Sequence, residues 1–158
     1  MGVGNRLSHD DGAGPILADR LSGSEWIAVD CGTSLENAAG IVRRERPELL
    51  VIADAARMGT PPGTVRRLPR TETDRMLIST HGLPIPFFID RLETAVRETV
   101  ILGIEPQDLS FGEGLSPVLS EAVDALHGIL TTGTGGIEAI PWWNEPSLRS
   151  LEGTAGSR

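Results

Sequence analysis

The sequence predicts a doubly wound α/β fold, a three-layer α/β/α sandwich built on a mostly parallel sheet of about five strands. Two observations carry that expectation. The short apolar runs Trp26-Ile27-Ala28-Val29, Leu49-Leu50-Val51-Ile52-Ala53 and Val100-Ile101-Leu102-Gly103-Ile104 are each followed by an acidic residue: Asp30, Asp54 and Glu105. Continuous runs of this length suit strands buried on both faces. Helical spacing fills the segments between them, and that alternation is the pattern of a parallel sheet with helical crossovers.

The elements follow in order. Ile16, Leu17 and Leu21 come after Pro15, a residue suited to an early helical position. Residues 34–46 place Ala38, Ile41 and Val42 on one helical face, with Arg43, Arg44 and Glu45 largely elsewhere. Residues 64–68 alternate and predict a weaker edge strand. Residues 84–96 predict a helix, with Phe88, Leu92 and Val96 four apart. Ser116-Pro117 reads as N-cap then first helical residue, and Val118, Ala122, Leu126 and Ile129 supply the buried stripe of the helix that follows. At Thr131-Thr132-Gly133-Thr134-Gly135-Gly136 the periodicity gives way to linker composition. The expected division is therefore an α/β domain over residues 1–130 and a linker with a flexible tail over 131–158. Trp142-Trp143 would clip that tail onto the domain or serve as a partner-binding peptide.

Composition narrows the function. The 158 residues fit one compact domain. Aromatics are only 4%, so the core must be aliphatic. A net charge of −8 argues against nucleic acid and against anionic membrane surfaces, both of which call for a cationic face. No apolar run approaches the ~20 residues of a membrane span. A single cysteine, Cys31, forbids an internal disulfide; with no signal peptide at the start, a reducing cytoplasm is the expected compartment.

In an open parallel sheet, ligands bind beyond the carboxyl ends of the strands. Asn5, Asp30, Asp54 and Glu105 fall at such ends, Asp11 in the loop entering the first helix, and His81 just before another helix. The glycine-rich opening, Gly2-Val3-Gly4-Asn5 and Asp10-Asp11-Gly12-Ala13-Gly14, does not make a dinucleotide loop, because Leu7 stands at the third glycine position and paired aspartates repel a pyrophosphate. Taken singly, each candidate has an ordinary structural role. Asp10 or Asp11 could cap the first helix, Asp54 could be a solvated strand end, and His81 a loop histidine. Cys31 fits a small buried residue, His127 a helix end, and His9 an exposed loop residue within reach of Asp11. Together, two carboxylates and a histidine at one rim would suit nickel, zinc or another borderline divalent ion.

At these residues the chain resembles the nickel–iron hydrogenase maturation endopeptidases. Six blocks carry the resemblance in order: the glycine-rich opening with Asp10-Asp11; Asp30-Cys31-Gly32-Thr33 with Glu36-Asn37; Asp54-Ala55 with Gly59 and Pro62-Gly63; Thr80-His81-Gly82-Leu83-Pro84; Gly103-Ile104-Glu105-Pro106; and Gly114-Leu115-Ser116-Pro117. The histidine and Gly-Ile-Glu-Pro blocks look most like the group serving formate-hydrogenlyase (hydrogenase-3) enzymes. The resemblance implies a peptidase, aspartic-type by family classification, that removes the C-terminal extension of the hydrogenase large-subunit precursor after nickel insertion. It places the family's metal-binding and catalytic side chains on Asp11, Asp54 and His81. The nickel would be supplied by the substrate, although another divalent metal is possible. Asp10 or Asp30 could then act as general base if the three ligands only grip the metal.

One departure from the family pattern concerns the first strand. Family members usually carry several apolar residues before Gly-x-Gly-Asn, whereas here only Met1 does. The resemblance implies that this strand is internal, so its neighbours would be short of backbone partners. Two other functions compete: a noncatalytic nickel-dependent binding module of the same fold and, more distantly, a nucleotide-binding α/β domain.

Overall fold

The computed structural model describes residues 1–78, 84–92, 94–133 and 135–144. Among them is a three-stranded mixed sheet in the order β1-β3-β2. Strands β1 (Leu49–Ala55) and β3 (Glu98–Ile104) run parallel, pairing Leu49 with Glu98 through Ala55 with Ile104. Strand β2 (Val65–Arg67) is antiparallel to β3. The expected edge strand over 64–68 is therefore present, but the sheet is mixed and has three regular strands, not about five.

The missing regularity lies on the far side of β1. Residues 27–29, expected as a strand, have irregular backbone, and only Asp30 forms a parallel bridge, to Gly2. The segment between this run and β1 is residues 1–4. Val3 donates its N–H to Ala53 O at 2.9 Å, and Ala53 donates to Met1 O at 2.9 Å. On the other side Gly2 donates to Val29 O, Cys31 to Gly2 O and Gly4 to Gly32 O. Residues 1–4 thus bond on both flanks, so the expected loss of pairing does not reach the carboxyl rim. Towards the amino end of β1 the same line is taken by a cavity of about 210 Å³, whose lining includes Ile27, Val29, Leu49 and Val51.

Alternation along the strands divides the apolar residues between two cores. Leu50, Ile52 and Ile101 face one, with Val42, Ile85 and Phe88. Val51, Ala53, Val100, Leu102 and Ile104 face the other, with Leu17, Leu119, Val123 and Leu126. Helices α1 (Ala13–Arg20) and α5 (Pro117–Thr131) cover the second face. On the first lie α2 (Ala39–Glu45), α3 (Thr73–Met76) and α4 (Ile85–Asp90). The helix expected over 34–46 begins as a 3-10 turn at Leu35–Ala38 before α2. The helix expected over 84–96 stops after 6 residues, at Asp90. Among the described residues no helix is long and apolar enough to cross a membrane.

After α5 the chain forms α6 (Gly135–Glu138) and returns to β2. Trp143 is buried and its indole donates to Met58 O at 3.0 Å, while Trp142 bridges Arg67 and lies under its guanidinium. Residues 145–158 of the expected tail lie outside the described residues.

The opening glycines hold the first helix against the sheet. A Cβ on Gly2 would lie 1.9 Å from Gly14 O, and one on Gly4 would lie 1.8 Å from Asp11 O. On Gly14 it would meet Val3 O at 2.3 Å and Ala53 O at 2.4 Å. The start of α1 therefore rests on bare backbone of residue 3 and β1, with no room for side chains.

Asp10 ties a second loop to this corner. Fully buried, it accepts N–H bonds from Gln107 at 2.8 Å, Asp108 at 2.8 Å and Ser116 at 2.7 Å, and the Ser116 hydroxyl at 2.8 Å. Ser116 does precede α5, but its hydroxyl serves Asp10 and makes no cap to the helix.

Three outcomes follow. Gly14→Ala should lower unfolding free energy by about 3 kcal/mol or more, since the obstructing atoms are backbone and cannot turn aside. Asp10→Ala, which removes the shared acceptor of three part-buried amides and the Ser116 hydroxyl, should cost about 3 kcal/mol in denaturant titration. Cys31 is buried, and desolvation pushes its thiol from 9.0 up to about 11. The folded state therefore holds this proton more tightly than the unfolded chain. Its contribution to stability is complete below pH 9.0 and fades as pH rises towards about 11. Alkylation of the native protein near neutral pH should accordingly be slow.

Candidate active site

Four polar residues expected at the carboxyl rim are there: Asn5, Asp30, Asp54 and Glu105 follow or end segments that run parallel to one another. Asp54 is fully buried in the last turn of β1's ladder, in register with Gly103. Asp11 stands on the 3-10 turn His9–Gly12 that leads into α1, and is 5% exposed. Its Oδ2 accepts the Asn5 N–H at 3.1 Å. Because Gly4 packs on the carbonyl of Asp11 and Gly14 on that of Ala53, the two aspartates belong to one corner of the fold.

His81 lies outside the described residues. Among those described, no three acidic, cysteine or histidine side chains gather as a metal-binding group. What the structure does supply is a pair of buried carboxylates, hard oxygen donors of the kind that bind divalent ions in their ionised form.

The remaining candidates have other work. Asp10, expected as an alternative general base, has its oxygens occupied by four donors and acts as a structural anchor. Asp30, the other alternative, is bound by Arg6 at 2.8 and 3.1 Å and accepts the Gly32 N–H at 2.8 Å. Arg6 also pairs with Asp19 at 2.8 Å, and the hydrogen bond to Asp30 raises the guanidinium pKa further. Asp10 is closed off by its donors, whereas Asp30 stays exposed beside Arg6. His9 turns its ring onto Gly112, with Nδ1 3.0 Å from Gly114 O, and so serves the 106–116 loop. Cys31 is buried, as expected of a structural thiol.

Two roles escaped sequence reasoning. Glu105 was expected only as a strand-end carboxylate. Its Oε2 accepts N–H bonds from Met58 at 2.7 Å and Thr60 at 3.2 Å, and the Thr60 hydroxyl at 3.1 Å. It thus fixes the loop that leaves Asp54. Arg6 joins the opening loop to Asp30 and, through Pro15 O, to α1. No spacing rule signals either contact; the pairing of Glu105 with a glycine- and threonine-containing loop after Asp54 is the one available hint.

The glycine-rich opening is filled from within. Backbone of residues 11–15 occupies the space beside Gly2 and Gly4, so no phosphate cradle exists there. The cavity of about 610 Å³ lined by Arg70, Arg97 and Trp142 lies beside the amino half of β3 and includes none of the rim carboxylates. Volume alone would misplace the site. Carboxylate burial at the sheet's carboxyl rim is the better guide.

Comparison with known proteins identifies the family. Residues 16–133 match the hydrogenase maturation protease family typified by HycI. The match includes the Asp54 and His81 blocks and begins after the opening glycines. The chain is 34% identical over 144 residues to the hydrogenase 3 maturation protease of Escherichia coli K12, covering 87% of this chain and 92% of the relative. It is similar to the solution structure of the endopeptidase HycI from Escherichia coli, with a TM-score of 0.79, 31% identity, and coverage of 92% of this chain and 96% of that one. The nickel–iron hydrogenase maturation protease HycI of Thermococcus kodakarensis superposes with a TM-score of 0.71 at 26% identity, over 83% and 87% of the two chains. An α/β fold, a rim of buried carboxylates and a family match over most of the sequence lead to one conclusion: the chain belongs to the hydrogenase maturation protease family.

Proposed function

We propose that this hydrogenase maturation endopeptidase removes the C-terminal extension from the large-subunit precursor of a nickel–iron hydrogenase once nickel is in place, acting in the cytoplasm. The observation that carries this is the burial of Asp11 and Asp54 together at the carboxyl rim, beside a backbone stripped of side chains. Two carboxylates and His81 form a donor set suited to a borderline divalent ion. Gripping the nickel already held by the precursor would position the scissile bond, and recognition through the metal explains why cleavage waits for its insertion.

We assign the aspartic-type chemistry to Asp11, Asp54 and His81, the residues that the family resemblance marks; Asp10 is tied into the 106–116 loop and Asp30 to Arg6. In the precursor complex a carboxylate of Asp11 or Asp54 would accept a proton from the attacking water. The precursor's nickel, held by these residues with His81, would supply polarisation of the scissile carbonyl. The proton then passes to the leaving amine as the C–N bond breaks. Glu105, by holding Met58 and Thr60, keeps the loop after Asp54 in a fixed path past this point.

The test mixes the purified protein with nickel-loaded and nickel-free precursor and follows C-terminal processing by mass. The expected outcome is cleavage of the loaded form alone. Asp54→Asn and His81→Ala should each reduce the rate by at least about 100-fold, the scale of losing a group that acts on the reacting bond. A folded wild type that binds the precursor without cutting it would establish a noncatalytic binding module instead. Glu105→Gln should keep the fold but raise KM or lower kcat about tenfold, since an amide keeps one acceptor oxygen and loses the charge that strengthens its bonds.

A further inference from the structure

The described residues expose a few large apolar side chains, and most have an evident local setting. Trp142 lies 4.7 Å below the Arg67 guanidinium and Phe87 4.6 Å from that of Arg91. Ile27 borders the cavity at the amino end of β1. Phe111 is different: it is 85% exposed, on the loop 106–116 that Asp10 anchors.

That loop is stitched to the one bearing Asp11. Gly112 donates its N–H to Leu7 O at 2.9 Å, and His9 donates to Gly112 O at 2.9 Å. Leu7, 46% exposed, therefore stands on the neighbouring strand of this bridge, four residues before Asp11. Asp108 accepts the Ser110 N–H at 2.8 Å and Asp10 holds both ends of the loop, so Phe111 is presented by fixed backbone. An aromatic ring held in water on an ordered loop loses little further entropy when a partner covers it.

We propose that Phe111, with Leu7, is the docking element for the large-subunit precursor, entering an apolar pocket with a basic rim on that protein. The proposal rests on the peptidase reading, because the precursor is the partner that must reach Asp11 and Asp54. The charge follows from the loop itself. Asp108 and Glu113 flank Phe111, on a chain whose net charge is −8, and a complementary basic border would steer the encounter. Docking at this point would place the precursor across the loop that leads straight into Asp11.

The experiment measures both affinity and cleavage for the nickel-loaded precursor. Phe111→Ser should weaken Kd and raise KM about tenfold with kcat unchanged, the behaviour of an exposed aromatic anchor lost from an interface. Leu7→Ser should do the same to a smaller extent, and Phe111→Leu should recover most of the loss. Ile27→Ser, equally exposed in kind but at the opposite end of β1, is the control and should change neither constant. Unchanged Kd and KM for Phe111→Ser would overturn the proposal, as would a fall in kcat alone or an equal loss from Ile27→Ser. A wild type that binds but does not cut would refute the peptidase reading while Kd for Phe111→Ser still judges the docking element. A wild type that neither binds nor cuts would overturn both.

Discussion

The contact on which the rest of the structure depends is one between backbones. Where α1 begins, Gly14 lies directly on the carbonyls of Val3 and Ala53, and Gly2 and Gly4 lie under residues 11–15. Nothing larger than hydrogen fits at these positions, so helix and sheet approach at a distance that side chains ordinarily forbid. The consequence is chemical. A loop that would otherwise stand off the sheet is drawn down until Asp11 shares a corner with Asp54, and both carboxylates lose most of their exposure.

Two adjacent aspartates then divide the labour according to direction. On the 3-10 turn His9–Gly12, Asp10 points into the amides of the 106–116 loop and Asp11 towards Asn5. One joins distant parts of the chain; the other stays at the rim. A carboxylate surrounded by amide and hydroxyl donors ties those segments together. Glu105 extends the same logic across the rim, holding the loop after Asp54 as Asp10 holds the loop before α5.

Residues 1–4 tie β1 to the segment that ends at Asp30. Bonds from these residues reach Ala53 on one side and Val29, Cys31 and Gly32 on the other. They lie at the carboxyl rim, the end of the sheet that carries Asp54 and Asp11.

Much of this was legible in the residues themselves. Continuous apolar runs ending in Asp54 and Glu105 announced buried parallel strands, and β1 and β3 are those strands. The ordered glycine blocks at the opening marked where backbone comes close, at Gly2, Gly4 and Gly14. The run at Trp26–Val29 misled because apolar composition reports burial, whereas a strand requires a bonded partner along its length, and only Asp30 makes a bridge there. Likewise Ser116 carried the local signature of an N-cap, yet its hydroxyl went to a carboxylate 106 residues away in sequence. The sequence by itself determined which segments are apolar, where helices begin, and which residues can tolerate contact without a side chain. Only the tertiary structure decided that Asp10 anchors the 106–116 loop while Asp11 stays at the rim beside Asn5, since that choice depends on amides brought together from distant segments by folding.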